Sequence, residues 1–347
     1  MAHLSKVRHP TSQQTLLKLM RYCYILLLLF LLSCTKSIEI NIPNSTSLLV
    51  INCLFNPDSN WSVFVGYTGN ANDTFWYNKN YVADAVVELW EDSTYLGKLQ
   101  YTKNGYYTLF HKPSLGHLYK LKAKAEGYPE IVAQSSIPAI STDMSGYWDT
   151  LNTVVLLDDN NSPYPTNAVS FTFKDIQNEP NYYKISLSYY DSCVYDLPDS
   201  QYINHLYDHL WTSTFEERYD DPAQEKLNKK IPYLFFTDIS FQNTTKSTNL
   251  YAGKGNLFYH FFIWNALVQS IEFYYVEDQY IKRKYLKLYV DFSSLSPDLY
   301  AYYLSYYQQA YATADPFATF GNVHSNIKGG LGIFGGYHRR LVLVYSN

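Results

Sequence analysis

"LQYTKNGYYTLFHKPSLGHLYKLKAKAEGY", residues 99–128, carries the fold in miniature. Asn104-Gly105 separates two strand patterns. Both central residues of a type I′ turn need φ > 0, which Asn and Gly tolerate best, so the stretch predicts a β-hairpin. Downstream, Tyr119, Leu121, Ala123 and Ala125 alternate with Lys120, Lys122 and Lys124. Successive side chains of a strand point to opposite faces, so this is a strand with one buried face and one solvated lysine face. The lysine row invites an anion-binding reading. A charged outer face that keeps a sheet soluble explains it without a ligand.

The same grammar extends outward. "SLLVINCLF" (47–55) is a short apolar run bounded by turn residues, "WSVFVGY" (61–67) alternates, and "VADAVVELWED" (82–92) reads as another strand. The polar, Asn-rich "GNANDTFWYNKN" (69–80) is a loop. Residues 47–138 thus hold about seven short strands with turn signals between them, which predicts a β-sandwich. Residues 139–167, rich in Asp, Asn and Pro, read as a linker. Strand patterns resume in 168–347 with "AVSFTF", "YYKISLSYY", "YLFFTDISF", "LFYHFFIW", "SIEFYYVED" and "YLKLYVDFSSL". Residues 199–231 are charged with weak helical spacing, and read as a partly helical insertion between strands. Ser296-Pro297-Asp298 starts one true helix: Ser as N-cap, Pro at the first helical position, Asp at the positive end of the dipole. Leu299, Tyr303, Tyr306 and Ala310 form its apolar stripe, and Asp315-Pro316 ends it. The expected architecture is all-β: a sandwich whose Gly105-Tyr106-Tyr107 and Gly116-x-x-Tyr119-x-Leu121 strands resemble Ig-like or prealbumin-like modules, then a larger β-rich domain with one C-terminal helix.

The leader decides the compartment. Tyr22 to Leu32 is an uncharged apolar run of 11 residues behind Lys18 and Arg21. A helix needs about 20 apolar residues to cross a bilayer, so this fits a secretory signal instead. Leu31-Leu32-Ser33-Cys34 resembles a bacterial lipobox, in which a small residue precedes the cleavage point and the cysteine thiol takes a diacylglycerol. Acyl chains anchor by about 0.8 kcal/mol per buried CH₂. Residues 1–33 are then the signal peptide, with Met1 or Met20 as the start, and residues 34–46 a polar tether. The signal carries four basic residues and no acid. Its loss turns 27 basic and 31 acidic residues into 23 and 31, a net charge of −8. That balance speaks against nucleic acid as a partner. Of the remaining cysteines, Cys53 and Cys193 read as small buried hydrophobes, with a single disulfide as the alternative. The 37 tyrosines suit half-buried sheets, or stacking platforms for sugars.

Candidate chemistry is sparse. His205 and His209 share a helical face in the insertion, beside Asp208 and upstream of Glu216-Glu217, but lack an H-E-x-x-H arrangement. "GGLGIFGG" (329–336) lacks a phosphate-loop pattern and reads as a bend where backbones approach closely. Asp238, Asp291 and Asp298 are acids without a spacing that pairs them. There is no G-x-S-x-G and no C-x-x-C. No catalytic, cofactor-binding or metal-binding set is expected, and the chain reads as a non-enzyme.

"LSPDLYAYYLSYYQQ" followed by "DPFATFGNVHSNIKGGLGIFGGY" resembles the closing signature of an uncharacterised Bacteroidetes outer-membrane lipoprotein family, catalogued as domain of unknown function 4249. The further matches are Cys34, Gly105-Tyr106-Tyr107 with Gly116 to Leu121, Asn181-Tyr182-Tyr183, and Val323 to Tyr337. Phe320-Gly321 stands where that family often carries proline. The resemblance covers nearly all of the mature chain. It implies an outer-membrane protein anchored through lipid on Cys34, on a face left open, near TonB-dependent transporters. It assigns no catalytic residues. The expected function is a non-enzymatic binding or accessory protein beside such a transporter, with a glycan or peptide as ligand. The alternatives are an envelope glycan hydrolase using Asp238 or Asp291, and a structural or adhesive surface lipoprotein.

Overall fold

A computed structural model of the chain describes residues 20–22, 24, 46–69, 80–157, 163–176, 179–197, 200–213, 233–253, 273–276, 279–312 and 321–346. The lipobox, Cys34 and the tether as far as residue 45 lie outside these residues, as do Glu216-Glu217 and Asp315-Pro316. The first half carries β1 (Leu49–Phe55), β2 (Trp61–Tyr67), β3 (Val86–Glu91), β4 (Thr94–Lys98), β5 (Gln100–Lys103), β6 (Tyr106–Leu109), β7 (Leu118–Lys124) and β8 (Ile131–Ser136). The second carries β9 (Met144–Leu157), β10 (Pro163–Lys174), β11 (Tyr182–Leu197), β12 (Ser200–Ser213), β13 (Leu234–Thr237), β14 (Thr245–Gly253), β15 (Phe273–Val276) and β16 (Gln279–Leu295). Helix α1 (Pro297–Ala312) and β17 (Leu331–Ser346) follow.

The sandwich forms as alternation dictates. Strands β4-β3-β7-β8 make one sheet, and β5-β6-β2-β1 begin the other. Between them lie Ile51, Cys53, Trp61, Val63, Val87, Leu89, Tyr119 and Leu121, all fully buried. Asn104 (φ 51°) and Gly105 (φ 83°) both adopt the left-handed backbone that the hairpin requires. On β7, Tyr119, Leu121 and Ala123 are buried while the lysines face outward, where Lys120 and Lys122 lie over the Trp90 ring. There are eight strands here rather than seven, because the chain changes sheets at the buried Leu99, between β4 and β5.

The larger sheet does not stop at β1. It runs β5-β6-β2-β1-β17-β16-β11-β12-β14-β10-β9. β17 pairs with β1 in parallel and with β16 antiparallel, so the last strand joins the first to the second half of the chain. Beyond β17, Tyr183, Ile185 and Leu187 of β11 and Val290 and Phe292 of β16 pack against Val169, Phe171 and Phe173 of β10.

Three expectations need correction. The proposed linker 139–167 is mostly strand. β9 spans 14 residues and pairs with β10 across the prolines. Pro163 and Pro165 sit where β10 pairs with β9, before its ladder to β14 begins at Ala168, so their missing N–H groups are not needed on the second side. The insertion is strand as far as it is described. β12 pairs with β11 from Leu197↔Ser200 to Leu187↔Leu210, and ladder bonding overrides its weak helical spacing. Third, α1 buries Leu299 and Tyr300 and half-buries Tyr303 and Tyr307, whereas Tyr306 and Ala310 are exposed. Ser296 stands at the N-cap position with its carbonyl bonded to the Tyr300 N–H, but its buried hydroxyl has no hydrogen-bond partner.

Candidate functional site

The glycine run is what lets the joint close. In β17, Gly332 (φ 111°) pairs with Ile51, and a Cβ there would lie 1.9 Å from the Ile51 carbonyl oxygen. At Gly336 it would lie 2.2 Å from the Ser136 oxygen, and at Gly335 2.8 Å from Leu299. Strand β1, strand β8 and helix α1 therefore each press on β17 at a glycine, where no side chain keeps them apart. The expectation of closely approaching backbones at 329–336 is met.

Segment 321–330 crosses in front of this joint. Lys328 exchanges both backbone hydrogen bonds with Val132 on the outer edge of β8. Asn326 acts as a strand partner with its side chain: its amide nitrogen donates to the Phe334 carbonyl at 2.8 Å and its oxygen accepts the Phe334 N–H at 2.9 Å. His324 Nε2 lies 2.9 Å from Asp298 Oδ1 in the first turn of α1, and the His324 N–H donates to Ser305 Oγ. The two halves of the sequence signature thus meet side chain to side chain, through residues 26 apart in the chain.

Their meeting leaves a recess of about 520 Å³, lined by Lys120, Gln134, Asp298, Ser325, Asn326 and Lys328 along with apolar neighbours. Two lysines and two amide residues line it with one acid, Asp298, whose carboxylate is already engaged by His324 and Asn326. The net field favours a polar ligand that brings oxygen acceptors or negative charge.

The other acids lie apart from it. Asp291, 1 % exposed, is held by Arg339 through two bonds, Nε to Oδ1 at 2.9 Å and Nη2 to Oδ2 at 2.7 Å. Beside this pair Lys184 places its ammonium 4.9 Å from the Tyr233 ring centre and 5.9 Å from that of Tyr303, and burial lowers its pKa against the opposing pull of Asp291. Asp238 is buried at the end of β13. None of the three acids was brought together with another by sequence spacing, and the described contacts give each its own surroundings. His205 and His209 lie on β12, opposite Ser192 and Ser188, so the one-turn helical spacing that would have paired them is absent. Cys53 is a free, fully buried thiol whose pKa burial raises, as a small core hydrophobe requires. Sequence reasoning missed Lys184 and Arg339. Their signal was a charge at a position where β11 and β17 alternate inward under α1, which needs the helix position to be read.

Among the described residues no three His, Cys, Asp or Glu side chains group as a metal site, and no helix is long and apolar enough to cross a membrane. The family signature is confirmed independently of these contacts: a family described as Domain of unknown function (DUF4249) matches residues 35–340. The chain belongs to the DUF4249 family. No curated protein matches this DUF4249 member. The match begins at the residue after Cys34 and ends within β17, so it takes in the sandwich, the joint and the second half together.

Proposed function

We propose that this DUF4249 protein is a Bacteroidetes lipoprotein, held in the outer membrane through lipid on Cys34, that binds a partner or ligand without catalysing a reaction and serves as an accessory to a TonB-dependent transporter. The observation that carries the binding reading is the recess at the joint. It gathers Lys120, Lys328, Gln134 and Asn326 around the contact between the two signature segments. Such a lining suits an acidic peptide segment or a glycan and offers no second free carboxylate for glycoside hydrolysis. Against the hydrolase alternative stands the use of Asp291, whose two oxygens are taken by Arg339. The anchor reading rests on Leu31-Leu32-Ser33-Cys34 and the short apolar run before it.

Two experiments test the halves of this reading. A photo-crosslinking amino acid at the exposed Gln134, used in cells, is expected to capture one β-barrel transporter in stoichiometric yield. Recovery of no partner from correctly lipidated protein overturns the accessory role. Cys34→Ala is expected to abolish labelling with radioactive palmitate and release the protein from the membrane fraction. Retained label would move the lipid off Cys34 and overturn the lipobox reading.

A further inference from the structure

A second recess, about 190 Å³, opens at the end of β13 and is lined by Glu179, Pro180, Asp238, Gln242 and Asn243. Asp238 is 1 % exposed. One of its carboxylate oxygens, Oδ2, accepts a long bond of 3.2 Å from Asn181 Nδ2, while Oδ1 has no hydrogen-bond partner. No cation among the described residues forms an ion pair with it. The neighbouring buried acid behaves differently. Asp175 is satisfied on both oxygens, by the Tyr183 hydroxyl at 2.7 Å and the Asn243 N–H at 2.8 Å.

A buried carboxylate with an unanswered oxygen is costly unless a charge partner meets it. The surroundings are rich in oxygen. The Ile176 and Glu179 carbonyls and Asp238 Oδ2 all converge on the single Asn181 Nδ2, which has only two hydrogens to give. Around the recess stand a second carboxylate, Glu179, and the side-chain amides of Gln242 and Asn243. We propose that this recess binds a hard divalent cation of calcium type, ligated by Asp238 Oδ1, the Glu179 carboxylate and amide oxygen, with water completing the shell. Calcium takes six to eight oxygens and accepts carbonyl and amide donors beside carboxylates, so two acids suffice where a zinc-type site of three His, Cys or acid ligands does not form. The consequence is structural: the cation would tie the turn after β13 to the segment leading into β11.

The test uses the full chain in detergent, stripped with chelator and titrated with calcium chloride by calorimetry, with terbium luminescence sensitised by nearby tyrosine as a second readout. The proposal expects one calcium per chain, a raised thermal midpoint, and terbium emission displaced by calcium. Asp238→Asn is expected to weaken binding on the order of tenfold or more, and Glu179→Gln, at the exposed rim, several-fold without loss of fold. Asp238→Asn is also expected to leave the metal-free protein at least as stable as the parent, since it removes an uncompensated charge. Folded parent protein that shows no heat, no emission and no change in midpoint at millimolar calcium overturns the proposal. Binding that persists unchanged in Asp238→Asn overturns it too, because the cation would then lie elsewhere.

Discussion

Asp291 and Arg339 form a buried, two-bonded ion pair. The carboxylate is buried while the guanidinium keeps about a third of its surface in solvent. Removing one partner of a buried pair leaves a charge without compensation, at a cost of about 3–5 kcal/mol. Arg339→Met is therefore expected to lower the unfolding free energy by about 3 kcal/mol, near the low end because water reaches the guanidinium side. Asp291→Asn combined with Arg339→Met is expected to recover part of that loss in urea denaturation. Strict additivity of the two would refute direct coupling. His117 makes the opposite case, an exposed pair. Its Nδ1 lies 2.7 Å from Asp92 Oδ2, which holds the carboxyl below its usual range and raises the imidazole above its own. The contribution of Asp92 fades as pH falls through its lowered value. That of His117 is complete below about pH 6.5 and fades as pH rises through its raised value. The pair is thus strongest in mild acid. Nuclear magnetic resonance titration should place the His117 midpoint above about 6.5, and Asp92→Asn should return it there.

Among the elements, β17 bears the tightest constraint. Gly332→Ala places a methyl group inside the Ile51 carbonyl, at a φ that L-residues rarely adopt. No flexible side chain is available to give way. A loss above about 4 kcal/mol, or failure to fold, is expected. Gly116 offers the control: φ is 79° there too, but nothing lies within 4 Å of an added Cβ. Its alanine variant should cost only roughly 1–2 kcal/mol. Equal thermal midpoints for the two variants would contradict the close approach. The helix repeats the lesson. The spacing of Leu299 and Tyr303 marked a buried stripe, yet its other members turned out to be Tyr300 and Tyr307. A 3.6-residue period tolerates more than one stripe, and only Phe235 and Ile333 beneath the helix select between them.

At the scale of the whole molecule, β17 serves both halves as well as the core under α1. Phe334 packs with Phe55 and Trp61 in the sandwich, while Val342 and Val344 pack in the second half. A chain ending at Gly330 loses the parallel partner of β1 and the antiparallel partner of β16 at once. Hydrogen exchange should then show lost protection at both Ile51 and Val290. Full protection retained at Ile51 would show that the sandwich stands without β17.

What the sequence alone determined is what local rules determine. The Asn104-Gly105 hairpin, the alternating β7, the helix start at Pro297 and the β character of both halves follow from turn chemistry and from a period of two. So does the cramped backbone at Gly329 to Gly336, because glycine is informative wherever chains touch. The tertiary structure decided everything that depends on which strand lies beside which. Asn326 and Phe334 look like neighbours in a loop until β17 makes them partners. Asp298, Lys120 and Lys328 are brought to one recess, and His324 to Asp298, only by the crossing of segment 321–330 over the edge of β8. Strand pairing between distant segments leaves no period in the sequence, since each strand needs only a matching edge and a filled face, and many partners would satisfy both.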